Sequence, residues 1–274
     1  MSVPLVSIVI ANYNYGRFLD EAIRSVLDQS CGDWELIICD GGSTDNSKEV
    51  IEKYAGRLAW WCSEKDKGQS DAFNKGFAHA KGKFLTWLNA DDVMLPGVVE
   101  RLKSAAEKHP ECEWFTGNFL QFLEDGTVIA APWGPHFIPR WLQTKGRPVA
   151  VYGPTTFFTK RIFDAAGGMK VYQNFMMDTD LWMRFIMMGV QQRRINCFCW
   201  AFRMHLDSKT AEFGEHKLSV EERAKFEAER AQAMRETGYR ASGVMRRLWQ
   251  VWRLLDGSAV RALWIRKTFR RYAA

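Results

Sequence analysis

Two adjacent carboxylates, Asp91 and Asp92, close the apolar run Phe84-Leu85-Thr86-Trp87-Leu88 by way of Asn89-Ala90. Carboxylates fixed at the end of a buried strand suit a hard divalent cation, which takes oxygen ligands and, for Mg²⁺, one or two carboxylates beside substrate phosphates. The competing reading is a helix N-cap, because Pro96 marks a helix start just downstream. Three other polar loops follow apolar runs: Ala11-Asn12-Tyr13-Asn14, Asp40-Gly41-Gly42-Ser43-Thr44-Asp45, and Glu64-Lys65-Asp66-Lys67-Gly68-Gln69-Ser70-Asp71. The six cysteines are scattered, with neither a disulfide framework nor four-ligand zinc spacing, which points to a reducing setting. His79, His109, His136 and His216 have no spacing that suggests a metal site.

The elements that must carry these loops alternate. Strands are expected at Val6–Ala11, Trp34–Cys39, Leu58–Cys62 and Phe84–Leu88. Helices are expected over Arg17–Gln29, from Ser43 or Thr44 through Tyr54, and over Ser70–Ala80. Such alternation predicts an α/β fold with a mostly parallel sheet between helices. In an open sheet of that kind ligands bind at the carboxyl edge of the strands, so all four loops should meet on one rim. From about residue 112 the rhythm changes. Glu113–Phe119 and Thr127–Ala131 flank a Glu124-Asp125-Gly126 turn and suit a hairpin. The stretch 132–147, rich in Pro, Gly, Trp and basic residues, reads as a surface loop suited to a lid or acceptor-binding segment. A helix follows from Asp178 through Met188, then a strand over Gln192–Arg203, and mostly helix after Leu218.

At 274 residues, 47% hydrophobic and 26% charged, the chain can bury a substantial core. The net charge of +6 is unevenly placed. Residues 240–274 hold nine Lys or Arg and one acid, a net of +8, so residues 1–239 sum to −2. A near-neutral body argues against a nucleic-acid-binding core. No secretory leader and no apolar run long enough for a transmembrane helix is expected from the sequence.

The segments SIVIANYN (7–14), DGGSTDNS (40–47), EKDKGQSDAFNKG (64–76) and LNADD (88–92) together resemble the nucleotide-sugar-binding half of family 2 glycosyltransferases, enzymes of the GT-A fold. The resemblance continues through GPTTFF (153–158), AAGGM (165–169), MDTDLWMR (177–184) and FRMHLDSKT (202–210), covering roughly residues 4–210. It implies a donor site built from Ala11, Asn12, Tyr13, Asp40, Asp66, Gly68, Gln69, Asp71, Asn89 and Asp91. Tyr13 would stack on a flat base and Asp40 would accept a hydrogen bond from an imino N–H. Asp92 would be the direct ligand of a Mn²⁺ or Mg²⁺ ion, with Asp91 in support and His205 completing the shell or approaching the diphosphate. Lys209 or Arg203 could pair with phosphate oxygens. In a direct, inverting displacement a general base must face the acceptor hydroxyl, and Asp178 falls where the family places it; its alternative is a helix N-cap. The family's preceding acid is replaced by Met177, and Asp180 reads as a first-turn charge.

The expected organisation is a GT-A domain over 1–214, with a donor half (1–112) and an acceptor half (113–214), followed by a basic, amphipathic helical extension over 215–274. The expected partners are a UDP-sugar and a saccharide or lipid-linked acceptor, in a cytoplasmic chain that can sit on the inner face of the cell membrane. In the tail, Trp249, Trp252 and Leu255 lie among Arg246, Arg247 and Arg253, a composition suited to an anionic bilayer surface through 243–272. Packing on the catalytic body or on a sister subunit, as a homodimer, is the alternative. No nucleic-acid partner is expected. The Gln-x-x-Arg-Trp signature of processive synthases is absent, which favours single-sugar addition. The rival functions are a catalytically silent nucleotide-sugar-binding scaffold, and a nucleotidyltransferase, which should instead carry a Gly-rich basic loop after the first strand.

Overall fold

The four apolar strands predicted near the N-terminus do form one parallel array. In the computed structural model, which describes residues 3–134, 153–205, 219–238, 243–256, 258–261 and 265, β1 (Val6–Asn12) pairs in parallel with β2 (Trp34–Asp40) and β4 (Phe84–Asn89), and β2 pairs with β3 (Trp60–Ser63). Between them run α1 (Gly16–Leu27), α2 (Ser47–Tyr54) and α3 (Gln69–His79). The sheet continues through a short β5 (Val93–Met94), a long β6 (Trp114–Leu123), β7 (Val128–Ala130), β8 (Thr156–Thr159) and β9 (Arg193–Met204). The spatial order is β3-β2-β1-β4-β8-β6-β9-β5, with β7 on β6 as the predicted hairpin. β8 runs antiparallel to β4 and β6, so the parallel N-terminal array and the β6–β9 part of the sheet join through one short reversed strand.

Both faces of the sheet are covered, which is what near-continuous apolar strands require. Val6, Ile8 and Ile10 face a core shared with α1, α2 and α4 (Val98–Lys108). Val9, Ile37 and Leu85 face a second core with α3, α5 (Lys160–Ala165) and α6 (Met177–Met187). Helix α3 lies so close that a Cβ on Gly76 would stand 2.3 Å from Val9 Cγ1. In the second core Trp182 stacks against both Trp87 and Trp114, at 5.5 and 5.6 Å between centroids, which accounts for part of the aromatic load.

Two local expectations change. Helix α2 begins at Ser47 rather than Ser43 or Thr44, because residues 43–46 are held by the first loop: Thr44 N donates to Asn14 Oδ1 (2.8 Å) and Asn14 N to Ser43 Oγ (2.8 Å). The carboxylates at 91 and 92 are not helix caps, since β5 intervenes and the residue preceding α4 is Gly97. The tail begins with α7 (Val220–Thr237) and α8 (Gly243–Leu255). Most of residues 259–272 of the predicted helical extension, residues 135–147 of the predicted lid, and Lys209 lie outside the described residues. Among the described residues no helix is long and apolar enough to cross a membrane.

Candidate active site

A cavity of about 1090 Å³ opens at the carboxyl ends of β1, β2 and β4, bounded opposite by the start of α6 and by β6 and β9. Ala11, Asn12, Tyr13, Asp66, Gly68, Gln69, Asn89, Asp91 and Asp178 all line it. The parallel strands bring the four loops to one rim, and side-chain bonds between loops hold them there.

The first two loops share one hydrogen-bond network. Asn12 Nδ2 donates to Asp40 Oδ1 at 2.7 Å; Ser43 N and Ser63 Oγ donate to Asp40 Oδ2 at 3.0 and 2.7 Å; Ser43 Oγ donates to Asp40 Oδ1. Burial opposes the charge of Asp40, yet the bonds from Ser43, Ser63 and Asn12 prevail and hold its carboxyl below the usual carboxylate range. The expected contact between Asp40 and a nucleotide base is therefore corrected: Asp40 is 1% exposed and both its oxygens are engaged inside the protein. Its work is to set Asn12 and, through Ser43, the backbone of Asn14 next to Tyr13, whose ring is 59% exposed at the cavity rim.

The carboxylate that faces the cavity here is Asp66. Its Oδ1 accepts from Gly68 N at 2.8 Å, and its Oδ2 lies 2.8 Å from where a Cβ on Gly41 would stand. A glycine at 41 is thus what admits Asp66 to this wall. Asp71, expected in the donor site, instead accepts from Lys67 N at 3.1 Å in the first turn of α3 and does not line the cavity.

At the end of β4 the two carboxylates diverge. Asp92 is fully buried; its Oδ1 accepts from Arg203 N at 2.9 Å and its Oδ2 from Asn89 Nδ2 at 2.8 Å. Burial, with the neighbouring Asp91 charge, pushes its carboxyl well above the ordinary range. Asp92 as the direct metal ligand is corrected by this geometry, since it faces inward. Asp91 lines the cavity, with Oδ2 3.0 Å from His205 Nε2. The imidazole is buried, packed edge-on by Tyr15 at 5.7 Å and against Phe18 at 4.7 Å. Arg203 does not reach for phosphate: Nε donates to Asp91 O at 2.9 Å and Nη2 pairs with Glu21 at 2.5 Å, which ties the loop to α1.

Among the described residues no group of three or more His, Cys, Asp or Glu side chains is gathered as a metal cage. The donors at hand are one cavity-facing carboxylate and one imidazole. That set fits a divalent ion whose remaining ligands are diphosphate oxygens and water, the usual manner for Mg²⁺.

Across the cavity Asp178 stands in the first turn of α6, after its N-cap residue Met176. Its Oδ1 accepts from Thr179 N at 2.5 Å, and burial raises its carboxyl above the usual range. Asp180 points away, fully buried against Arg184 (2.6 Å), which also holds Gly168 O at 2.7 Å, so it is a structural pair. Met177 accepts a bond from Ser70 Oγ through sulfur at 3.3 Å. The sequence reading missed Gln121, Asn174, Trp200 and Phe202, which also line the cavity. Only the alternation along β6 and β9 hinted at the aromatic members, and no motif marks Asn174.

The profile of the family "Glycosyl transferase family 2" matches residues 7–165. The putative glycosyltransferase EpsE of Bacillus subtilis is 31% identical over 193 residues, covering 69% of each chain. The uncharacterized glycosyltransferase alr2836 of Nostoc sp. is 44% identical over 100 residues, 35% of this chain. This chain spans only 31% of that protein's length. In structure, S. aureus TarS 1-349 in complex with UDP-GlcNAc superposes with a TM-score of 0.59 over 78% of this chain and 61% of that one, at 15% identity. The likeness to TarS shows a shared fold.

Proposed function

Because this chain belongs to glycosyl transferase family 2, we propose that it transfers one sugar from a nucleotide-diphosphate sugar to a saccharide or lipid-linked hydroxyl, with inversion at the anomeric carbon. The observation that carries the reading is the pairing, across one cavity, of a carboxylate–imidazole pair at the end of β4 with a lone carboxylate on α6. Asp91 and His205 would hold a Mn²⁺ or Mg²⁺ ion. When bound, that ion neutralises the diphosphate and stabilises the departing nucleoside diphosphate as a Lewis acid. Asn12, Gly68, Gln69 and Asn89 surround the donor, and Tyr13 offers a face for base stacking. Asp66 Oδ2 is the acceptor within the site for an imino N–H, which uracil, thymine and guanine carry and cytosine and adenine do not. A UDP-sugar is the favoured donor, in keeping with the ligand of the TarS complex. Asp178 takes the proton from the acceptor hydroxyl as the new bond forms on the face opposite the leaving group. Its raised carboxyl pKa brings its basicity closer to neutral pH, where a general base works best.

The extension would serve the same reaction. On α8, Val244, Leu248, Val251 and Leu255 form one exposed apolar stripe beside exposed Arg247. A stripe of that kind fits the headgroup layer of an anionic membrane, where a lipid-linked acceptor resides.

The test is UDP release from a panel of UDP-hexoses with Mn²⁺ or Mg²⁺, water taking the sugar in place of the acceptor hydroxyl, using wild type and Asp178→Asn. Turnover should collapse in the variant while UDP binding survives. Unaltered turnover would remove Asp178 as base, and UDP that binds no more tightly than CMP would remove the donor site.

A further inference from the structure

We propose that Glu229, on α7 and outside the family-matched residues, positions the base: its carboxylate gathers the backbone amides ahead of α6 and so fixes the wall on which Asp178 stands. The proposal rests on Asp178 being the base.

Glu229 is 9% exposed and accepts from three consecutive amides: Asn174 N at 3.0 Å, Phe175 N at 2.8 Å and Met176 N at 3.3 Å. Consecutive amides converging on one anion form a nest, which stabilises a carboxylate without any cation. Met176 is the N-cap residue of α6, so the three amides that Glu229 gathers are those leading directly into the helix that bears Asp178. The grip has other points on α7. Tyr172 Oη donates to Glu236 (2.8 Å to Oε2), and Phe226 meets Phe175 edge-on at 6.4 Å. From the other side Ser70 Oγ donates to Gln173 O at 3.2 Å. Residues 172–177 are thus clasped between α3, which follows the Asp66 loop, and α7. Asn174, Phe175, Met177 and Asp178 all line the cavity, so a shift of this segment moves the base relative to the donor. A positioning error near 1 Å costs catalysis on the order of a hundredfold while leaving donor binding intact.

Full-length Glu229→Gln replaces one acceptor oxygen by an NH₂ that cannot meet an amide N–H. UDP release from the UDP-hexose panel should show kcat lowered roughly ten- to a hundredfold, with UDP affinity by titration calorimetry unchanged. Introduced into Asp178→Asn, the same substitution should add less than about twofold, because both act through one group. Wild-type kcat in Glu229→Gln, or a full independent loss in the double variant, would overturn the clamp. If Asp178→Asn alone keeps full turnover, the base reading falls and the clamp falls with it. Should Glu229→Gln not fold, hydrogen exchange on the wild-type chain decides: amides 174–176 should be protected, and exchange at the rate of an unstructured loop would refute the proposal.

Discussion

Gly41 and Asp66 show how one missing side chain decides what a site can read. The Asp66 carboxylate stands 2.8 Å from where a Cβ at 41 would lie, too close for one to fit without displacing it. Gly41→Ala is expected to displace that flexible carboxylate rather than unfold the sheet. UDP affinity should drop about tenfold, which is about 1.4 kcal/mol, with little change in Tm. Calorimetry beside a thermal melt checks this, and unaltered UDP affinity would acquit Asp66. Asp178 carries a second prediction. Burial raises its carboxyl in the folded chain, so the folded state holds the proton more tightly than the unfolded chain and stability declines as pH rises through the raised value. As a general base Asp178 would act only when ionised, so turnover should then fall as pH drops through that same value. The acidic limb of a pH–rate profile therefore lies above about 3.9, the ordinary aspartate value. Asp178→Asn should lose this limb together with its turnover, yet melt no lower than wild type at neutral pH.

These residues also mark what could be read from the chain. The motifs brought the right loops to the cavity, because strand period and loop order fix which rim they share. They could not say which carboxylate of a neighbouring set faces it. Asp40 against Asp66, and Asp92 against Asp91, are decided by hydrogen bonds from Ser43, Ser63, Asn89 and the Arg203 amide. Glu229 left no trace in the sequence because its partners are backbone amides, which any residue would provide.

At the scale of elements, β9 governs the loop after β4 although Arg203 lies 111 residues beyond Asp92 in the chain. Arg203 fastens Asp91 O and Glu21 with one guanidinium, a planar fork that lysine cannot reproduce. Arg203→Lys keeps the charge and the backbone bond to Asp92 but frees the loop. The Mn²⁺ concentration giving half-maximal turnover should rise roughly tenfold, a size typical of losing a group that orients a metal ligand. An unchanged Mn²⁺ requirement would mean that the loop is held well enough without it. The mixed sheet has a similar logic: β8, four residues long, joins parallel β4 to β6, so the two sides of the cavity share one rigid frame.

Across the whole molecule, charge and apolar surface are concentrated in the last part of the chain. Nine basic residues in 240–274 and the exposed stripe of α8 predict co-flotation of the full chain with phosphatidylserine vesicles but not with neutral ones. Binding should weaken as salt is raised, because screening shortens the reach of surface charge to about 8 Å at physiological ionic strength. A chain that ignores anionic vesicles at low salt would assign the stripe to a protein contact. Helix α7 belongs to a different concern. By clasping residues 172–176 it ties part of the chain beyond residue 165, where the family match ends, to the wall that bears Asp178. Anyone exchanging the chain after β6 between such enzymes would therefore need to transplant residues 172–237 as one cassette. A hybrid joined within that span would inherit Asp178 without the strut under its helix.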